Sequence, residues 1–136
     1  MALQPSCPLV LLAEDEAIIA IDLEDALIEA GFAVAGPFST CAQAEAWLQQ
    51  GKPDAAILDH ELKDGPCDSL ISHLSVRGVP IVVFTAHDAP GTVERANAAV
   101  VWLCKPVSFP SLLAQLREEM QSQRTRRGRV ALGSLN

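Results

Sequence analysis

Five apolar runs of five residues each, every one followed by a helix-length segment, restrict this chain to a parallel sheet covered on both faces. They are Leu9 to Ala13, Phe32 to Gly36, Ala55 to Asp59, Pro80 to Phe84 and Val100 to Cys104. The third, Ala55-Ala56-Ile57-Leu58-Asp59, stays apolar until it stops on a carboxylate, and it lies between Lys52-Pro53-Asp54 and the turn-rich Lys63-Asp64-Gly65-Pro66. A short run without polar alternation reads as a central strand buried on both sides. Asp59 then stands at the C-terminal end of that strand, on the sheet edge at which ligands and chemistry collect in open α/β folds.

The intervening segments carry helical periods. Glu14, Asp15 and Glu16 open a helix expected to reach about Ala30, with Gly31 closing it. Ile19, Leu23, Ala26, Leu27 and Ala30 make its core stripe. Ile18, Ile21 and Ile28 make a second stripe that packing on one sheet does not use, which marks them as a candidate partner surface. Thr40 with Gln43 is a capping-box pattern for a helix through Gln50, and Leu70, Ile71 and Leu74 face inward on a helix running to Arg77.

The segment from His87 to Ala99 holds Pro90 and Gly91 and few large apolar residues, so its helix is expected to be short and weakly anchored. Phe109, Leu112, Leu113, Leu116 and Met120 form the stripe of a last helix behind Ser108. Past Gln121 the apolar period disappears, and an arginine-bearing tail is expected to fray. The expected division is an extension over residues 1–8, a folded domain over 9–121 and a flexible tail over 122–136.

A chain of 136 residues is one domain of ordinary size. Its formal net charge of −7 already includes four tail arginines (Arg124, Arg126, Arg127 and Arg129), so the body is more acidic still. That charge argues against nucleic acid as the main partner. Cys7, Cys41, Cys67 and Cys104 form no C-x-x-C pair, which points to reduced, largely buried thiols in place of a zinc site or a disulfide framework. The N-terminus has no leader pattern and no run approaches the roughly 20 apolar residues of a membrane span, so a cytoplasmic location without membrane partners is expected.

The parallel-sheet reading collects Glu14 and Asp15, Asp59, Thr85 and Lys105 at one edge, because each follows or ends one of the strands. Three carboxylates in one place repel; a pair about 4 Å apart costs roughly 4 kcal/mol at an effective dielectric near 20. A cation must offset this, and hard oxygen ligands with room for water suit Mg²⁺. Asp59 is then placed to attack a phosphoryl group as a carboxylate nucleophile. The Thr85 hydroxyl and the Lys105 ammonium would contact the phosphoryl oxygens.

The order acidic pair, strand-end Asp, strand-end Thr and Lys-Pro closely resembles the receiver domain of bacterial two-component response regulators, over roughly Leu9 to Met120. The resemblance implies a flavodoxin-like, doubly wound five-stranded parallel sheet in the order 2-1-3-4-5. It implies that Asp59 takes a phosphoryl group from a histidine kinase or a histidine phosphotransfer protein, and that the domain signals by a conformational switch. Asp15, Asp59 and the backbone carbonyl of Glu61 would bind Mg²⁺, with Glu14 helping through water. Thr85 and Trp102 would occupy the switch positions. A phosphoacceptor of this kind catalyses only its own phosphorylation and dephosphorylation.

The sequence departs from the family pattern in three places. Trp102 replaces the usual Tyr or Phe, the stretch from Thr85 to Lys105 is about two residues short, and Glu61 and His87 stand where the family tunes access of water to the acyl phosphate. The alternatives are an interaction module that binds partners without phosphorylation, an aspartyl-nucleophile phosphatase and a flavin carrier. Glu61, where such a phosphatase places Asp, disfavours the second, and the lack of a Ser/Thr/Gly-rich loop after Ala13 disfavours the third.

Overall fold

The computed structural model describes residues 7–86, 93–95 and 100–134. The elements in chain order are β1 (Leu9–Ala13), α1 (Ala17–Glu29), β2 (Ala33–Phe38), α2 (Cys41–Leu48), β3 (Ala55–Asp59), β4 (Glu61–Leu62), β5 (Gly65–Pro66), α3 (Asp68–Val76), β6 (Ile81–Thr85), β7 (Val93–Arg95), β8 (Val100–Cys104) and α4 (Phe109–Ser134). The main sheet runs β2-β1-β3-β6-β8-β7. Its first five strands are parallel and give the expected 2-1-3-4-5 order when they alone are counted.

β3 lies at the centre, and all five of its residues are buried. Alternation at period two sends its side chains to opposite faces. Ala56 and Leu58 join Leu11, Leu70 and Leu74 in the core under α2 and α3. Ala55 and Ile57 join Leu23, Leu27, Leu112 and Leu116 under α1 and α4. Burying each large aliphatic side chain contributes about 1.5–3 kcal/mol, enough in sum to hold an acidic edge together.

The weak helix expected between His87 and Ala99 is not what the described part of that segment forms. Val93–Arg95 is a strand, antiparallel to β8, so the sheet gains a sixth, edge strand. The segment has no apolar helical stripe to bury, whereas pairing satisfies backbone groups along the otherwise open edge of β8.

Three smaller differences have equally local causes. β2 continues past Gly36 to Phe38, because a bulge opposite Leu12 absorbs the Gly36-Pro37 step. Gly36 has φ +113°, and a Cβ there would stand 2.6 Å from the Leu12 carbonyl oxygen. α1 starts at Ala17 and buries Ala20, Leu23 and Leu27, leaving Ile19, Ala26 and Ala30 half-buried. α4 continues to Ser134 beyond the expected end near Gln121, since its glutamines, arginines and alanines favour the helix without needing an apolar face.

Thr40 caps α2 as expected, its Oγ1 accepting the Gln43 N–H at 3.1 Å, but Gln43 reaches back to the Ser39 N–H at 3.0 Å instead of that of Thr40. No disulfide joins any two of Cys7, Cys41, Cys67 and Cys104. Cys67 and Cys104 are buried, Cys41 half-buried and Cys7 exposed, so only part of the expectation of buried thiols holds. Burial pushes the Cys41 thiol up to about 11 and the Cys67 thiol up to about 12, which keeps both protonated and unreactive. None of the helices described is long and apolar enough to cross a membrane.

Candidate functional site

Strand register sets the site before any side chain is considered. Ala13 lies beside Leu58, Asp59 beside Phe84 and Thr85 beside Cys104. The residues that follow β1 and β8 and those that end β3 and β6 therefore meet at one edge.

Asp59 is the centre of that edge and is only 4% exposed. Its Oδ1 accepts the Glu61 N–H at 3.2 Å, and its Oδ2 accepts the Lys105 ammonium at 3.2 Å. Lys105 is held in turn by its own N–H, which donates to the Thr85 carbonyl at 2.7 Å. Its Nζ also lies 5.0 Å from the centroid of the Phe84 ring. Glu14, Asp15 and Asp59 each offer a carboxylate oxygen, and these oxygens all lie within 4.8 Å of one another.

Glu14, read from the sequence as an acid opening a helix, is instead almost completely buried, one residue past the end of β1. Its N–H donates to the Phe38 carbonyl at 2.9 Å, a bond that the β2 bulge makes available. Its Oε1 accepts the Glu16 N–H at 3.0 Å. Its Oε2 is buried with no hydrogen-bond partner among the described residues. Burial pushes this carboxyl up to about 7; the Glu16 N–H opposes the rise, the Asp59 charge adds to it and the Lys105 charge opposes it. An oxygen-only cluster with a buried, unsatisfied oxygen fits a hard divalent cation.

The family model for the response regulator receiver domain matches residues 10–117. This chain belongs to the response regulator receiver family. Its fold is the one the sequence resemblance implies.

Among curated relatives, the transcriptional regulatory protein PdtaR of two Mycobacterium tuberculosis strains is 38% identical over 108 residues, covering 76% of this chain and 52% of that protein. The receiver thus spans about half the length of the curated relatives it matches. Among solved structures, SdrG from Sphingomonas melonis Fr1 is 28% identical with a TM-score of 0.67, over 87% of this chain and 99% of that one. A response regulator receiver protein from Sinorhizobium medicae WSM419 shares the fold with a TM-score of 0.72 at 24% identity, over 86% of this chain and 97% of that one.

The remaining residues singled out in the sequence divide by position. Thr85 is buried at the end of β6, beside the Asp59 edge. Glu61 opens β4 with its N–H on Asp59 and its side chain in solvent. Trp102 lies mid-strand in β8, half-buried against the α2 and α3 side of the core. Ile18, Ile21 and Ile28 are 77%, 56% and 55% exposed on α1, outside the acid cluster. His87 lies outside the described residues.

Sequence reasoning missed His60, whose ring lies edge-on to Trp102 with centroids 4.8 Å apart. Its one signal was adjacency to Asp59. It also missed Phe38 and Asp64, which act through long-range backbone contacts that no local pattern encodes.

Proposed function

We propose that this receiver accepts a phosphoryl group on Asp59 from a histidine kinase or a histidine phosphotransfer protein and signals by a change of conformation. The observation that carries this reading is the Asp59 carboxylate, almost fully buried at the end of β3, held by Lys105 at 3.2 Å and grouped with Glu14 and Asp15. In the transfer, an Asp59 oxygen forms a bond to phosphorus while the bond from phosphorus to the donor imidazole nitrogen breaks. The electron pair of that bond stays on the ring nitrogen.

Glu14, Asp15, Asp59 and the Glu61 carbonyl would hold Mg²⁺, which when bound neutralises the crowded carboxylates and the incoming phosphoryl oxygens. Lys105 orients the Asp59 carboxylate before the reaction and supplies a point charge to the phosphoryl oxygens during it. The Thr85 hydroxyl donates to one of those oxygens. Asp59 is the acceptor, so the chemistry is self-modification and not turnover of a separate substrate. The exposed Ile18, Ile21 and Ile28 stripe is the surface on which the donor docks.

Acetyl phosphate with Mg²⁺ should add one phosphoryl group, seen by mass spectrometry of the intact protein, and Asp59→Asn should take none. An unmodified wild-type protein under saturating donor and metal would favour a module that binds without phosphorylation.

A further inference from the structure

The turn that follows Asp59 is fastened to a helix that plays no part in the acid cluster. β4 and β5 pair antiparallel, Glu61 with Pro66 and Leu62 with Gly65, and the Cys67 N–H donates to the His60 carbonyl at 2.9 Å to close the base. A hairpin of two two-residue strands is marginal by itself, so its position depends on outside ties.

Those ties converge on the start of α2. The Asp64 carboxylate accepts the Cys41 N–H at 2.7 Å and the Ala42 N–H at 3.0 Å, across 23 and 22 residues of sequence. Both donors belong to the first helical turn, which has no partners for them within the helix. The Thr40 side chain takes a third, from Gln43. The Lys63 N–H donates to the Ser39 carbonyl at 3.3 Å, adding a third bond between the two segments. The two backbone bonds hold the exposed Asp64 carboxyl below the usual carboxylate range.

We propose that Asp64 is a positioning residue of the phosphoacceptor site: by clamping the hairpin to the first turn of α2 it fixes Glu61, whose N–H holds Oδ1 of Asp59 and whose carbonyl would be a Mg²⁺ ligand in the reading above. This rests on the metal reading above only where Mg²⁺ affinity is measured. Asp64 is not one of the carboxylates of the acid cluster. It sets where the Glu61 backbone stands.

Thr40 provides the control, because Thr40→Ala removes a cap from the same helix without touching the hairpin. In calorimetric titration, Asp64→Ala should weaken Mg²⁺ binding about tenfold, the scale of outer-shell losses at metal sites, while Thr40→Ala should stay within about twofold of wild type. In metal-free protein, the amides of residues 61–67 should exchange faster in Asp64→Ala than in Thr40→Ala. Asp64→Asn, which keeps one acceptor oxygen, should fall between wild type and Asp64→Ala, and it serves if Asp64→Ala does not fold. Equal effects of the Asp64 and Thr40 variants, or an Asp64→Asn protein matching wild type in both measurements, would overturn the inference. If wild type binds no Mg²⁺ the metal reading fails, and the exchange of the hairpin amides alone decides for or against the clamp.

Discussion

Lys105 and Asp59 form an ion pair of unequal burial: Nζ lies 3.2 Å from Oδ2, with the lysine side chain 30% exposed and the aspartate side chain 6%. The aspartate therefore depends on the lysine more than the lysine depends on it. Removing one partner of a fully buried pair costs about 3–5 kcal/mol, and with the lysine partly solvated the expected loss for Lys105→Ala is about 2 kcal/mol. Urea unfolding in chelator should show that loss. Saturating Mg²⁺ should then stabilise the variant more than it stabilises wild type, since the cation takes over the missing charge. An unchanged midpoint in chelator would mean that solvent, not Lys105, screens Asp59.

Glu14 makes metal-free stability depend on pH. Its carboxyl stands near 7 in the folded chain against an ordinary 4.5, so between those values the folded state binds more protons than the unfolded state. Stability should therefore fall as pH rises from about 4.5 to about 7, by at most about 3 kcal/mol, and level off above. Glu14→Gln should flatten that fall. Because the metal displaces the same proton, the apparent Mg²⁺ affinity of wild type should climb over the same range. A stability profile identical in wild type and Glu14→Gln would sink the assignment.

What could be read from the chain in advance followed from burial on both faces. β3 is continuous apolar sequence because both sides of it are core, and a strand of that kind announces its end by its first charge, Asp59. The positions of Glu14, Asp15 and Lys105 then follow from parallel order. The illegible parts are those decided by distant partners. β7 is three residues chosen by the open edge of β8 and not by a period of its own. The depth of Glu14 depends on Phe38, brought beside it by a bulge, and the Asp64 clamp bonds residues more than twenty positions away. In sequence Asp64 is only a turn residue.

The Ile18, Ile21 and Ile28 stripe predicts a separation between donors. These side chains are exposed, so Ile18→Ser with Ile21→Ser should change stability by no more than about 0.5 kcal/mol per site. Phosphorylation by acetyl phosphate, which needs no docking surface, should keep its rate. Transfer from a histidine kinase or phosphotransfer protein should slow about tenfold if these residues anchor the contact. Equal rates from the protein donor for variant and wild type would remove the stripe from the interface.

His60 and Trp102 define the last expectation. The two rings meet edge-on at 4.8 Å with planes 69° apart, and the indole is half-buried against the core between the sheet and α3. Swinging a half-buried indole into water costs about 2–3 kcal/mol of apolar burial, plus about 1 kcal/mol for the ring pair. Phosphorylation moves the ring only if it favours the outward state by more than that sum. Trp102 is therefore expected to stay seated. With Trp47→Phe making Trp102 the sole indole, adding beryllofluoride and Mg²⁺ should leave its emission maximum in place. A shift to the wavelength of the unfolded protein, absent in Asp59→Asn, would show that the ring leaves its seat on activation.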